Sequence, residues 1–349
     1  MTDSVTIIHN SEFGRRSQIN KLKERLSEEP VDVTIVSAKS DSDMKVDLRT
    51  GTDIEFLIRI MVLTFLDEIP EGDVLHAWRI VTLFPFVVTR SNSKLVATCA
   101  GEITVEMREN KSSSLVLAYN TIERITIKYI DVIIAVNHGT RRYLQEKHGG
   151  IGTDLRVIPV GVDQTRFYTY SDDHKSGNNI LFVGRITKIK NIPLLIDAFS
   201  KLTDKRPECE LTIVGDGDKV EEMTSRVKNY GIEDSVNYIG EVKHNQVPKL
   251  MNDADCLVLT SKSEGSPNVV RESICCGTPV VSTPVGDVPQ LLQASQAGII
   301  AEPDPYDIAC AISQVLTEVS KYSKSARDYS PELSYEKSFQ EMMKIYNQC

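Results

Sequence analysis

The chain has 349 residues, a formal net charge of -9 and a pI near 5.3, an acidic balance that argues against general nucleic-acid binding, which needs a basic face. Its 41% hydrophobic and 26% charged residues are those of an ordinary soluble chain long enough for two domains. Seven cysteines without a C-x-x-C pair make a poor disulfide framework and read as buried thiols in a reducing compartment.

The first residues lack the basic start and apolar run of a signal peptide, and no apolar segment is long enough to span a bilayer, so the expectation is a cytoplasmic protein. Residues 5–9 read as a first strand. Ser17 is a candidate cap for a helix with Ile19, Leu22 and Leu26 on one face. Residues 31–37 read as a strand, 41–51 as a polar loop and 54–66 as a buried helix. Short strands follow at 73–77 and 94–99, then a helix at 115–130 and a strand at 131–136. Asn137 is placed to cap the next helix, which Gly149 closes, and 155–160 is the last strand of this half. Residues 163–177 are polar and form the linker candidate.

A second alternating half begins at strand 179–183 and helix 192–202. Strand 210–214 precedes helix 220–230, and strand 236–239 precedes a short helix at 247–252. Strand 256–260 leads into the stretch EGSPNVVRE, residues 264–272, and on to CGTPVV, residues 276–281. Here Pro267 fits the first helical position, Ser266 the N-cap and Gly277 the stop. Residues 298–301 read as a strand, 306–319 as a helix and 333–346 as an amphipathic helix. Strands alternating with helices imply an α/β fold with parallel sheets, whose ligands sit beyond the carboxyl ends of the strands.

Two constellations carry chemistry. A helix start presents free N–H groups and a partial positive charge, and Glu264 and Glu272 flank this one; such a site suits a phosphate joined to a polyol. A capped helix with two solvated glutamates fits the same residues. Gly184, Arg185 and Lys190 follow a strand and could bind phosphate, or be two surface cations in a solvated loop. Asp41-Ser-Asp43 reads as solvated loop aspartates, and no Asp-x-Asp in a strand–turn setting asks for a metal.

Taken in order, FVGR (182–185) with Lys190, LLIDAF (194–199), LTIVGDG (211–217), YIGEV (238–242), DCLVLTS (255–261), EGSPNVVRE and CGTPVV resemble the donor domain of the GT4 family of retaining glycosyltransferases. The resemblance implies a GT-B architecture: two doubly wound Rossmann-like domains facing a cleft, residues 1–165 for the acceptor and 178–320 for the donor. Residues 321–349 would form a helical segment crossing back to the first domain.

The implied reaction moves a sugar from a nucleotide-diphosphate sugar to a glycan, lipid-linked or small-molecule acceptor with retention, needing no cofactor and no metal. The resemblance assigns Arg185 and Lys190 to the leaving diphosphate and Glu264 to the donor sugar. It assigns Glu272 to the ribose, Val242 to the base and the N–H groups of Asn268, Val269 and Val270 to the phosphate, with Gly184 and Ser266 also among the donor-binding residues. In the first half, Gly14, His76 and Gly101 are candidate acceptor or cleft residues. There the chain departs from the family: its first loop has a single glycine, Gly14, and Ala100 stands where a histidine is usual. Those departures keep open a degenerate relative that holds a nucleotide sugar without transferring it; an epimerase is a further alternative. The basic run Arg15, Arg16, Lys21, Lys23 and Arg25 is a candidate for contact with the inner face of a membrane, or a solvated helix face balanced by Glu24, Glu28 and Glu29.

Overall fold

In the computed structural model, the structure describes residues 2–9, 15–38, 42–48, 53–99, 113–149, 152–170 and 178–348. The chain divides into two units, Met1–Pro159 with Ser338–Cys349 and Val160–Lys337. The return to the first unit thus begins at Ser338, and residues 321–337 belong to the second.

The first unit holds strands β1 (Ser4–His9), β2 (Asp32–Ser37), β3 (Met44–Lys45), β4 (Val74–Ala77), β5 (Lys94–Cys99), β6 (Val132–Ala135) and β7 (Asp154–Val157). All pair in parallel in the order β3-β2-β1-β4-β5-β6-β7. Its helices are α1 (Arg15–Leu26), α2 (Asp53–Phe65), α3 (Phe84–Thr89), α4 (Ser113–Thr126) and α5 (His138–His148). Ile19, Leu22 and Leu26 are buried as their spacing predicts, but α1 starts ahead of Ser17. Asn137 caps α5 by accepting the Thr140 N–H at 2.6 Å. The helix expected to be buried, α2, is buried on one face only. Phe56 and Ile60 enter the core, while Ile58, Val62, Phe65 and Leu66 remain exposed. Length and apolar content do not tell a buried helix from one with a second apolar face.

The second unit holds β8 (Asn179–Val183), β9 (Glu210–Val214), β10 (Val236–Gly240), β11 (Cys256–Leu259), β12 (Val280–Ser282) and β13 (Gly298–Ile300), all parallel, in the order β10-β9-β8-β11-β12-β13. Its helices are α6 (Ile192–Thr203), α7 (Val220–Tyr230), α8 (Val247–Asp253), α9 (Asn268–Cys275), α10 (Val288–Ser295), α11 (Pro305–Thr317) and α12 (Val319–Tyr329). Strand periodicity divides the core between the sheet's two faces. Ile180 and Phe182 join one cluster and Leu181 the other. Val162 bridges Ser334, just before α13 (Tyr335–Tyr346).

The end of α13 is fastened within the first unit by Tyr346, whose hydroxyl meets His76 Nδ1. Lys94 Nζ donates to the Ile345 carbonyl at 2.7 Å and the Thr2 hydroxyl to the Tyr346 carbonyl at 2.7 Å. Among the described residues no helix is long and apolar enough to cross a membrane.

Candidate functional site

A doubly wound sheet opens its crevice where strand order reverses. In the second unit that point lies between β8 and β11, neighbours whose following connections lead away to opposite sides. The loop after β8 carries Gly184, Arg185 and Lys190; the loop after β11 carries Ser261 and Glu264. Lys190 Nζ donates to Glu264 Oε1 at 2.6 Å, and Ser261 Oγ donates to the same oxygen at 2.7 Å. The Lys190 and Glu264 side chains keep 18% and 16% exposure, so the pair is largely withdrawn from water yet open to a ligand.

Backbone ties fix these loops. Thr260 Oγ1 donates to the Lys190 carbonyl at 3.0 Å, and the Lys262 N–H to the Ile189 carbonyl at 2.8 Å. On the other side of β8, the Gly184 N–H donates to the Val214 carbonyl at 3.0 Å and the Gly215 N–H to the Gly240 carbonyl at 2.8 Å. Gly215 has φ +128°, and a Cβ there would collide with the Gly184 carbonyl oxygen. Only glycine lets the two strand-end turns close on each other.

The helix start differs in detail from expectation. α9 begins at Asn268, with Pro267 extended (φ -72°, ψ 112°) at the N-cap, and Ser266 does not cap it. Ser266 Oγ turns instead to Asp287 Oδ2, 3.3 Å away in the loop after β12. The Val270 N–H is taken by the Pro267 carbonyl at 3.2 Å, which removes it from the phosphate donors expected there. Asn268 and Val269 remain half-buried at the helix mouth.

Asp287 also binds Arg271 of α9, a buried ion pair that spacing did not suggest. Gly286, at φ +56°, packs so closely on the Gly265 carbonyl that a Cβ would collide with it. The loop after β12 is therefore pressed onto the loop that bears Glu264. Nothing in the sequence pairs Asp287 with Arg271.

Glu272 faces a different neighbour. His244, in the loop after β10, places Nε2 3.6 Å from Glu272 Oε1. Hydrogen bonding to Glu272 raises the His244 pKa above its usual value, against the opposing effect of partial burial. Phe167 meets the imidazole edge-on, ring centres 5.4 Å apart. Val242 packs half-buried on the core beside this loop. Arg185 is exposed and, among the described residues, makes no ion pair. One cation thus stays open beside a second already seated on a carboxylate, with helix N–H groups near the same loop: a set suited to an anion joined to hydroxyls.

In the first unit, His76 has no exposed surface. Its Nε2 lies 2.7 Å from Thr98 Oγ1, its Nδ1 meets the Tyr346 hydroxyl, and its ring stacks on Trp78 at 4.5 Å. Burial pushes its pKa down to about 3, so the ring is neutral, with one nitrogen donating and the other accepting. This is an interior clasp for α13, with no surface for an acceptor. Gly14, Ala100 and Gly101 lie outside the described residues. In the basic run, Lys21 and Lys23 face Glu24 and Asp43 at 3.8 and 2.7 Å, and Arg25 pairs with Glu28 and lies over Phe339; for those three this favours the balanced helix face. Nothing is described of the Arg15 and Arg16 side chains. Among the described residues no group of three His, Cys, Asp or Glu side chains is placed to hold a metal ion.

Mannosylfructose-phosphate synthase of Agrobacterium fabrum is 28% identical over 240 residues, covering 62% of this chain and 53% of that one. The N-acetyl-alpha-D-glucosaminyl L-malate synthase of Bacillus anthracis is 26% identical over 196 residues, covering 52% and 49%. The chain spans about half the length of these curated relatives. Sucrose-phosphate synthase from Thermosynechococcus elongatus superposes with a TM-score of 0.80 at 18% identity, over 99% of this chain and 98% of that one. Anabaena HepE, solved in complex with UDP, gives 0.77 at 17% identity over 100% of both chains. These likenesses establish the α/β fold of two doubly wound units expected from the sequence. Residues 171–332, most of the second unit, match the family described as glycosyl transferases group 1.

Proposed function

We propose that the protein is a glycosyltransferase that moves a sugar from a nucleotide-diphosphate sugar to a hydroxyl acceptor, with retention at the anomeric carbon. The observation that carries this reading is the Lys190–Glu264 pair at the β8/β11 switch point. Breaking the bond between sugar and diphosphate leaves negative charge on the departing oxygen. Fixed cations at that oxygen act on the transition state more than on the ground state. Lys190 is held by Glu264 and Arg185 is open, so the two supply that charge without a metal. Asn268 and Val269 at the start of α9 supply N–H groups to the phosphates. Glu264, with Oε1 occupied by Lys190 and Ser261, offers its other oxygen to a hydroxyl of the donor sugar. Glu272 takes the ribose hydroxyls, and the backbone at Val242 meets the base.

The relatives support the class: they are synthases that build glycosidic products, and HepE has been solved with UDP and with UDP-glucose. Uridine donors therefore head the panel to be tested. The experiment follows nucleoside diphosphate release from UDP-, GDP- and ADP-sugars with and without acceptors, and reads the product's anomeric configuration by NMR. A folded protein inert toward the whole panel, or an inverted product, contradicts the reading.

A further inference from the structure

The chain returns from the edge strand β10 across the sheet to β11 through the loop 241–246 and α8. His244 sits on that return. Its place is built rather than incidental. The Lys243 N–H donates to Gln246 Oε1 at 3.1 Å, and the Gln246 N–H donates back to the Lys243 carbonyl at 2.8 Å, which closes a tight turn over His244–Gln246. The Phe167 ring, itself buried, packs against the imidazole at 65°, ring centres 5.4 Å apart.

From there Nε2 reaches Glu272 Oε1 at 3.6 Å. The Glu272 side chain is 15% exposed while that of His244 is 52% exposed. The carboxylate is thus the inner partner and the imidazole the outer one. A carboxylate on a helix has several rotamers, and a ribose needs one of them. With Oε1 facing His244, the carboxylate's other oxygen is left for a ligand hydroxyl.

We infer that His244 is a positioning residue for Glu272: it fixes the carboxylate that takes the donor's ribose hydroxyls, and its protonation sets how tightly a nucleotide donor is held. The inference rests on the ribose role proposed for Glu272. It names a residue that the glutamate spacing of the stretch 264–272 does not reach.

The charges around His244 set the sign. Glu272 on α9 favours the imidazolium, both by hydrogen bonding and by charge. Arg166, in the segment that also bears Phe167, opposes it. The balance lies above the ordinary value, so the ring keeps its proton to higher pH than a free imidazole and loses it as pH rises further. Protonated, it holds an ionised Glu272 and adds a positive charge near a diphosphate. Neutral, it keeps only a weak polar contact at 3.6 Å. Donor affinity therefore falls as pH rises.

The test uses the full chain and calorimetric binding of UDP-glucose, GDP-mannose and ADP-glucose, whose phosphodiester groups do not titrate between about pH 5.5 and about pH 8.5. The tightest of the three is carried through the wild type, His244→Gln, His244→Lys and Glu272→Gln. Wild-type affinity is expected to fall roughly three- to fivefold across that range, the scale of an exposed ion pair. His244→Gln is expected to be flat with pH at the weak limit, and His244→Lys, a permanent cation, flat at the tight limit. Glu272→Gln is expected to be weak throughout. If His244→Gln follows the wild-type profile while Glu272→Gln is weak, the inference fails and the ribose role stands. If Glu272→Gln binds like the wild type, or none of the three sugars binds, the donor-site reading itself fails.

Discussion

Lys190 Nζ and Glu264 Oε1 lie 2.6 Å apart, and they join two loops that leave the sheet at the one place where its strand order turns back. Each partner is more than four-fifths buried, so neither is indifferent to the other's removal. Deleting one partner of a partly buried pair leaves a charge without compensation, and the deletion then measures that loss as well as the role of the deleted group. The expected signature is non-additivity. Lys190→Ala and Glu264→Ala should each lower turnover about 10²-fold or more, and the double variant should be little worse than either. Rates measured at saturating donor decide it. Effects that simply multiply would mean the two side chains act separately.

The Arg271–Asp287 pair gives a second expectation. It is buried, and Asp287 also accepts from Ser266, so one aspartate ties α9, its preceding loop and the loop after β12 together. Asp287→Ala should cost about 3–5 kcal/mol in urea unfolding of the second unit, because Arg271 is left buried and unpaired. Replacing both by apolar residues should restore much of that stability while leaving the Glu264 loop less well held, so KM for the donor rises. A double variant with wild-type stability and wild-type KM would show that the pair has no part in shaping the loop.

His76 makes a pH prediction for the first unit. Its pKa lies near 3 when folded and near the ordinary 6.5 when unfolded, because burial disfavours the charged ring. Below pH 6.5 the unfolded chain takes up a proton that the folded state refuses, and stability falls by about 1.4 kcal/mol per pH unit until about pH 3. Above pH 6.5 this contribution is flat. Trp78, the sole tryptophan, stacks on His76 and reports the transition by fluorescence. The acid slope should be shallower in His76→Gln by that amount; an unchanged slope would mean that other groups carry it. Tyr346→Phe, which removes the hydroxyl beside His76 Nδ1, should cost about 1–2 kcal/mol.

In the proposed reaction Lys190 and Arg185 supply the positive charge at the leaving diphosphate. Turnover should therefore survive exhaustive chelation. Dialysis against EDTA followed by rate measurement checks this. A rate that collapses and returns with magnesium or manganese would assign that charge to a metal.

What the sequence made legible follows from where the determinants lie. β8, β9 and α7 were readable residue for residue, since their apolar periods and closing glycines are local signals. The glutamates 264 and 272 and the cations 185 and 190 stood out because glycines and strand ends frame them. Residue patterns predict no helix at α3, α10 or α12, although α12 carries Tyr322 and Ala326 at helical spacing. The cap on α9 went to Pro267 because Ser266 is drawn away by Asp287, a residue 21 positions later. His244 with Glu272, Arg271 with Asp287 and His76 with Tyr346 are all pairs made by tertiary structure. No spacing announces them, and His76 in particular looks the same in sequence whether it faces solvent or a tyrosine 270 residues away.

The central claim is that the β8/β11 crevice of the second unit binds and cleaves a nucleotide sugar. Nucleoside diphosphate release across UDP-, GDP- and ADP-sugars, compared between the wild type and Lys190→Ala, tests it most directly. The account predicts release from at least one donor and a loss of about 10²-fold or more in the variant. A folded Lys190→Ala protein that turns over at the full wild-type rate would contradict it.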